Sequence, residues 1–136
     1  MASSKTPIVA GHGGQIPAVG YGTMLFPDAE TAVELITHSL NCGYRHIDTA
    51  RKYGSEKWVG EAIRTNRVPR EDIWITTKVT EENATADDFA RSVETSLKTL
   101  DVTYVDLLLI HWPQPNVPLE ETLGALAETK REGLAK

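Results

Sequence analysis

The feature that most constrains this chain is a repeat spacing. Three strand-like runs end at Asp48, Lys78 and His111, and the separations are 78 − 48 = 30 and 111 − 78 = 33 residues. A helical stripe fills each interval, so the chain reads as successive strand-helix units. Residues 73–78 are β-branched and aromatic, which favours a strand. Residues 105–110 are almost continuously apolar, the pattern of a strand covered on both faces. Residues 45–48 and 19–22 are shorter strand candidates. Asp28 is placed as the N-cap of a helix that buries Val33, Ile36 and Leu40 and stops at Gly43. A second helix over residues 55–66 buries Val59 and Ile63. Thr85 and Asp88 resemble a capping box in front of Phe89, Val93, Leu97 and Leu100. Pro118 opens the last helix, with Leu119, Leu123 and Leu126 on one face and Gly133 at its end.

Four such units imply parallel strands joined by right-handed crossovers. Two α/β architectures meet that description: a doubly wound open sheet, or part of a (β/α)8 barrel. Gly20-Tyr21-Gly22-Thr23-Met24-Leu25 begins the glycine-rich turn of a dinucleotide-binding open sheet but lacks its third glycine, which weakens that option. Ahead of the first unit, residues 7–17 place two short apolar pieces around a glycine turn, as in a small β-hairpin. The 136 residues suffice for a single domain, 1–136, with its own core.

Composition excludes several partners. A net charge of −5 gives no electrostatic reason for a nucleic-acid or anionic membrane partner. No apolar run approaches the roughly 18 residues of a membrane span. Met1-Ala2-Ser3-Ser4-Lys5 has no long apolar stretch behind it, so no signal peptide is expected. Cys42 is the single cysteine, which suits a reducing, cytoplasmic compartment. Neither the histidines nor Cys42 fall at metal-ligand spacing, so no metal is expected.

Asp48, Lys78 and His111 end consecutive strands, and Tyr53 lies in the loop after the first of them. All four should therefore project toward one rim, the end at which barrel active sites sit. Each has an ordinary reading alone: a loop start, a packing tyrosine, a solvated lysine, a core histidine. Four proton-handling groups at equivalent points of successive units call for one explanation.

The sequence around them supplies it. Gly43-Tyr44-Arg45-His46-Ile47-Asp48-Thr49-Ala50, then Tyr53-Gly54 and Glu56, resembles the first signature of the aldo-keto reductases. Ile75-Thr76-Thr77-Lys78 and Asp106-Leu107-Leu108-Leu109-Ile110-His111-Trp112-Pro113 match later blocks of that family, and the likeness extends from about Ile8 to Lys136. It is strongest to bacterial carbonyl and 2,5-diketogluconate reductase-type members. The resemblance implies a (β/α)8 barrel with a hairpin at its base, and NADPH, or NADH, as hydride donor to a small carbonyl substrate. It implies a tetrad of Tyr53 as general acid, Lys78 beside it, Asp48 holding Lys78, and His111 orienting the carbonyl. The chemistry suits those types: a free phenol titrates near pH 10, and a neighbouring cation stabilises phenolate. By the same resemblance Gly22, Thr23, Met24 and Asp48 lie toward the nicotinamide, and Met24, Lys52, His111 and Trp112 toward the substrate.

Three departures stand out. Met24 and Thr80 replace tryptophans found in many members, which implies a less aromatic pocket. Lys52 replaces an apolar residue, and reads either as a solvated loop lysine or as a bias toward polar or acidic carbonyl compounds. The family barrel has eight units and this chain four, with residues 132–136 resembling a turn into a fifth strand. The chain thus reads as a catalytic N-terminal half with open strand edges and an uncovered apolar inner face, expecting either the C-terminal half of the barrel or self-association. The rival readings are a binding or regulatory module, as in channel-associated relatives, and an inactive fragment.

Overall fold

The computed structural model describes residues 6–11 and 14–136. The expected turn at His12-Gly13 and the N-terminal Met1-Ala2-Ser3-Ser4-Lys5 lie outside the described residues. The elements are β1 (Ile8–Gly11), β2 (Gly14–Pro17), β3 (Tyr21–Gly22), α1 (Ala29–Asn41), β4 (His46–Asp48), α2 (Glu56–Thr65), β5 (Trp74–Val79), α3 (Ala86–Leu100), β6 (Leu107–Ile110) and α4 (Leu119–Arg131). β1 and β2 pair antiparallel, with Ile8 opposite Pro17. β3, β4, β5 and β6 form one parallel sheet in chain order. β3 and β4 are shorter than the sequence suggests, starting at Tyr21 and His46.

That order separates the two architectures. A doubly wound sheet reverses its strand order and carries helices on both faces. Here the order never reverses, and the helices pack in sequence, α1 on α2, α2 on α3 and α3 on α4. Side chains sort to match. Ile47, Ile75, Val79 and Leu108 are buried with Ile36, Val59, Phe89, Val93 and Leu100 in one core between sheet and helices. The alternate positions His46, Asp48, Trp74, Thr76, Lys78, Leu107 and Leu109 share the other face through the register His46–Trp74, Asp48–Thr76, Thr76–Leu107 and Lys78–Leu109.

The caps explain where the helices begin. Asp28 Oδ1 accepts the Thr31 N–H at 2.8 Å, and Thr85 Oγ1 accepts the Asp88 N–H. α1 stops at Cys42 because Gly43 follows in the left-handed region, φ +101°. α2 and α3 come unusually close: a Cβ on Gly60 would lie 2.5 Å from the Leu100 carbonyl oxygen.

Three expectations need correction. Leu109 is 37% exposed, so β6 is not covered on both faces; its second face is the half-open one. That face is also not apolar, since His46, Asp48, Thr76 and Lys78 alternate with the tryptophan and leucines. In α4 the leucine stripe marks the buried side only at Leu126, which packs against the core. Leu119 and Leu123 are exposed while Thr122 and Thr129 are buried, and Thr122 Oγ1 donates to the Ala84 carbonyl at 2.8 Å, turning the threonine side toward α3.

Past α4 the chain turns at Gly133, φ +77°, and Ala135 pairs parallel with Val105. A charged cluster fastens this end of the sheet. Asp106, nearly buried, accepts from Arg70 Nη2 at 2.9 Å, Lys136 Nζ at 2.8 Å and the Ile75 N–H at 3.0 Å. Arg70 and Lys136 both lie over the Tyr104 ring, at 4.4 and 4.2 Å.

Candidate active site

Asp48 and Lys78 stand near the ends of adjacent parallel strands on the same face, so the sheet alone brings them together. Lys78 Nζ donates to Asp48 Oδ1 at 2.8 Å and to the Thr49 carbonyl at 2.9 Å. Its third direction meets Tyr53 Oη at 3.4 Å. An ammonium has three donors, and all three are accounted for. The Lys78 side chain is only 13% exposed, which fixes it in that arrangement.

Tyr53 is delivered by a 3₁₀ turn, Arg51–Tyr53, that starts two residues beyond Thr49. The turn reverses at Gly54, φ +69°, a conformation glycine adopts without steric cost. Its phenol ring lies 5.0 Å from Lys78 Nζ and meets the His111 ring edge-on at 5.6 Å. His111 follows β6, its N–H donating to the Val79 carbonyl at 2.8 Å, and its ring stacks on Trp112. His111 Nδ1 is buried without a hydrogen-bond partner in the fold. Unpartnered buried polar atoms are uncommon and concentrate at sites that receive a ligand or water.

A layer of buried hydroxyls supports this rim, and sequence reasoning did not identify it. Thr23, Thr49 and Ser55 are buried, with Ser55 Oγ 3.0 Å from Thr23 Oγ1 and 3.2 Å from Thr49 Oγ1. The Thr23 N–H and hydroxyl also donate to the Asp48 carbonyl, at 3.0 and 3.2 Å. Buried Glu56 accepts from Thr77 Oγ1 at 2.7 Å, tying the start of α2 to β5. The signal was small: single hydroxyls at strand and helix ends, where they resemble ordinary loop residues.

Met24, Lys52, Tyr53, His111 and Trp112 line one cleft of about 520 Å³, joined by Leu25, Phe26 and Trp58. The lining is nonetheless partly aromatic. Phe26 and Trp58 contact each other edge-on at 6.3 Å and supply aromatic rings from elsewhere in the chain. Thr80 is buried and not among the lining residues; its hydroxyl accepts from Asn83 Nδ2 at 2.9 Å.

Lys52 is an exposed loop lysine, as one reading had it, but not an unpaired one. Its Nζ lies 2.7 Å from Glu81 Oε1, a pairing across two loops that no local spacing announces. The hydrogen bond between them holds Lys52 above the usual lysine value, and Glu81 below the usual carboxylate range. Both groups are therefore charged at neutral pH. The second Glu81 oxygen, Oε2, is buried without a partner.

The residues expected near a nicotinamide divide in two. Gly22 pairs with Asp48 in the sheet register, and a Cβ built on it would meet nothing within 4 Å, so an open surface adjoins the carboxylate. Met24 is 59% exposed beside that surface. Thr23 is buried, and its N–H and hydroxyl are both engaged by the Asp48 carbonyl. Among the described residues there is no group of three or more potential metal ligands, and no helix long and apolar enough to cross a membrane.

Comparison with known proteins agrees with this arrangement. A model of the aldo/keto reductase family matches residues 18–136. Methylglyoxal reductase DkgB of Escherichia coli O157:H7 is 46% identical over 123 residues, covering 89% of this chain and 46% of that protein. An aldo/keto reductase from Brucella melitensis is 41% identical with a TM-score of 0.89, over 96% of this chain and 50% of that one. A Bombyx mori aldo-keto reductase crystallised in complex with NADP is 32% identical with a TM-score of 0.87, over 96% and 48%. The chain thus spans about half the length of the relatives it matches. On the family match, which takes in every residue of the rim, this chain belongs to the aldo/keto reductase family.

Proposed function

We propose that this chain is the catalytic half of an NADPH-dependent reductase of small aldehydes or ketones. The observation that carries the reading is the Lys78 ammonium set between Asp48 Oδ1 at 2.8 Å and Tyr53 Oη at 3.4 Å. In this reading the four units are the first half of a (β/α)8 barrel, residues 1–136 are one domain, and β1 and β2 close the barrel base. The remaining strands come from a C-terminal half or from a second copy. The exposed Cys42 and the lack of a long apolar helix among the described residues are compatible with a cytoplasmic setting.

Gly22, Met24 and the free oxygen of Asp48 would hold the nicotinamide end of the cofactor, which when bound supplies hydride to the carbonyl carbon. The chain's own residues handle the oxygen. As negative charge develops there, Tyr53 Oη gives its proton, leaving an alcohol and a phenolate. Lys78 stabilises that phenolate through its charge, and Asp48 keeps Lys78 from turning away. His111, wedged between Tyr53 and Trp112, donates a hydrogen bond that orients the carbonyl. Phe26, Trp58 and Trp112 would give the carbonyl compound an apolar surface to lie against.

The test is NADPH oxidation by the purified chain with a small reactive aldehyde, beside Tyr53→Phe. Turnover that disappears in the variant supports the reading and means the site is completed by assembly. Equal turnover in both proteins excludes Tyr53 as the acid. If neither turns over, the same pair is measured after adding the C-terminal half of a related reductase, and continued inactivity there rejects the catalytic assignment. A binding-module reading has no use for Lys78 buried against Tyr53, and the structure offers nothing that favours it.

A further inference from the structure

Lys52, paired with Glu81, is a charged residue lining the cleft that the proton-transfer machinery does not use. Lys52 sits immediately before Tyr53, and its side chain, 49% exposed, lines the cleft among Met24, Leu25, Phe26, Trp58 and Trp112. Around an apolar and aromatic lining, a lone ammonium would favour anionic ligands. Glu81 removes that preference. It lies in the short turn Glu81–Asn83 after β5, reaches across to Lys52 at 2.7 Å, and is itself 25% exposed. Two opposite charges in contact act at a distance as a dipole, which falls off faster than a charge, and Glu82 close by adds a second carboxylate to the same side. Glu81 Oε2 is buried and unpartnered, so Lys52 is the one partner this carboxylate has among the described side chains.

We propose that Glu81 is a specificity-determining residue: by pairing with Lys52 it cancels that lysine's charge at the cleft, so that the site selects uncharged over anionic carbonyl compounds. The inference rests on the carbonyl-reductase reading for its substrates, but the cleft's charge preference can be measured without turnover. The persistence of the pair is consistent with the hydrogen bond that holds both groups in their charged forms. Glu81 makes no hydrogen bond to Tyr53, Lys78 or His111, so its removal acts first on which compounds bind.

The experiment uses the full chain and its Glu81→Gln, Lys52→Met and doubly substituted forms. Benzaldehyde and 4-carboxybenzaldehyde are titrated while the indole N–H signals of Trp58 and Trp112 are followed by NMR. The wild type should bind benzaldehyde more tightly. Glu81→Gln should shift the affinity ratio toward the carboxylate compound by about fivefold, the scale of one exposed charge contact. The double variant should lose that shift, because no lysine remains to be uncovered. An unchanged ratio in Glu81→Gln, the same shift in the double variant, or no binding of either compound overturns the proposal. A shift in a chain whose turnover ignores Tyr53→Phe would retain the charge selection while rejecting the reductase reading. Tyr53-dependent turnover with no shift would do the reverse.

Discussion

The two ends of the sheet carry the same three residue types with opposite outcomes. At the rim, Asp48, Lys78 and Tyr53 form a partly open set, with the Asp48 side chain 36% exposed and Lys78 5.0 Å from the ring. At the other end, Asp106, Lys136 and Tyr104 are joined by Arg70, and the Asp106 side chain is 4% exposed with three donors on it. One aspartate keeps an oxygen free and a tyrosine hydroxyl within reach of a cleft. The other has its carboxylate consumed by the fold. Shared composition does not give shared function; what differs is whether hydrogen-bonding capacity is left over.

The largest expected contrast is in turnover. Tyr53→Phe should lower aldehyde reduction by about 100-fold or more, the usual scale for losing a general acid, while its urea unfolding midpoint stays put. Tyr104→Phe keeps the ring under both cations and should change neither quantity. A matching loss of activity in both variants would erase the distinction between the ends. Next comes stability. Asp106→Ala strands Arg70 beside a buried vacancy and should cost about 3–5 kcal/mol, read from urea denaturation. Asp48→Ala leaves the buried Lys78 ammonium with the Thr49 carbonyl and Tyr53 Oη still beside it, and should cost less, about 1–3 kcal/mol. If the two costs come out equal, the rim is as structural as the base.

A third comparison concerns backbone packing away from both clusters. Gly60→Ala pushes a methyl into the Leu100 carbonyl and should destabilise by about 1–3 kcal/mol with turnover per folded molecule unchanged. The smallest effect lies at high pH. The hydrogen bond to Asp106 raises the folded value of Lys136 above its usual 10.5. Its stabilisation is therefore complete below the unfolded value and fades as pH rises through the folded one. Lys136→Met should flatten that alkaline decline in the urea midpoint, though only slightly, because the side chain is 48% exposed. A decline of undiminished slope in the variant would assign it to another group.

Much of this was legible in the sequence, for a physical reason. Interval and strand ends are local properties, so the alternation, the caps at Asp28 and Thr85, and the convergence of Asp48, Lys78 and His111 on one rim could be read from spacing. What escaped depends on which surfaces meet. The leucine stripe of α4 resembles a buried face, yet Leu119 and Leu123 are exposed and Thr122 is buried against the Ala84 carbonyl just ahead of α3. Phe26 and Trp58 reach the cleft from segments that give no sign of it. The Lys52–Glu81 pair joins positions 29 residues apart whose loops become neighbours only once β4 and β5 align.

Strand order has a consequence for how such a chain comes into being. Every parallel pairing in the sheet joins a strand to the one made just before it. A nascent polypeptide can therefore dock each unit as it emerges, without waiting for a distant segment or threading past one already placed. The Ala135–Val105 bridge is that process advanced by one step. Growth by whole units is built into the topology.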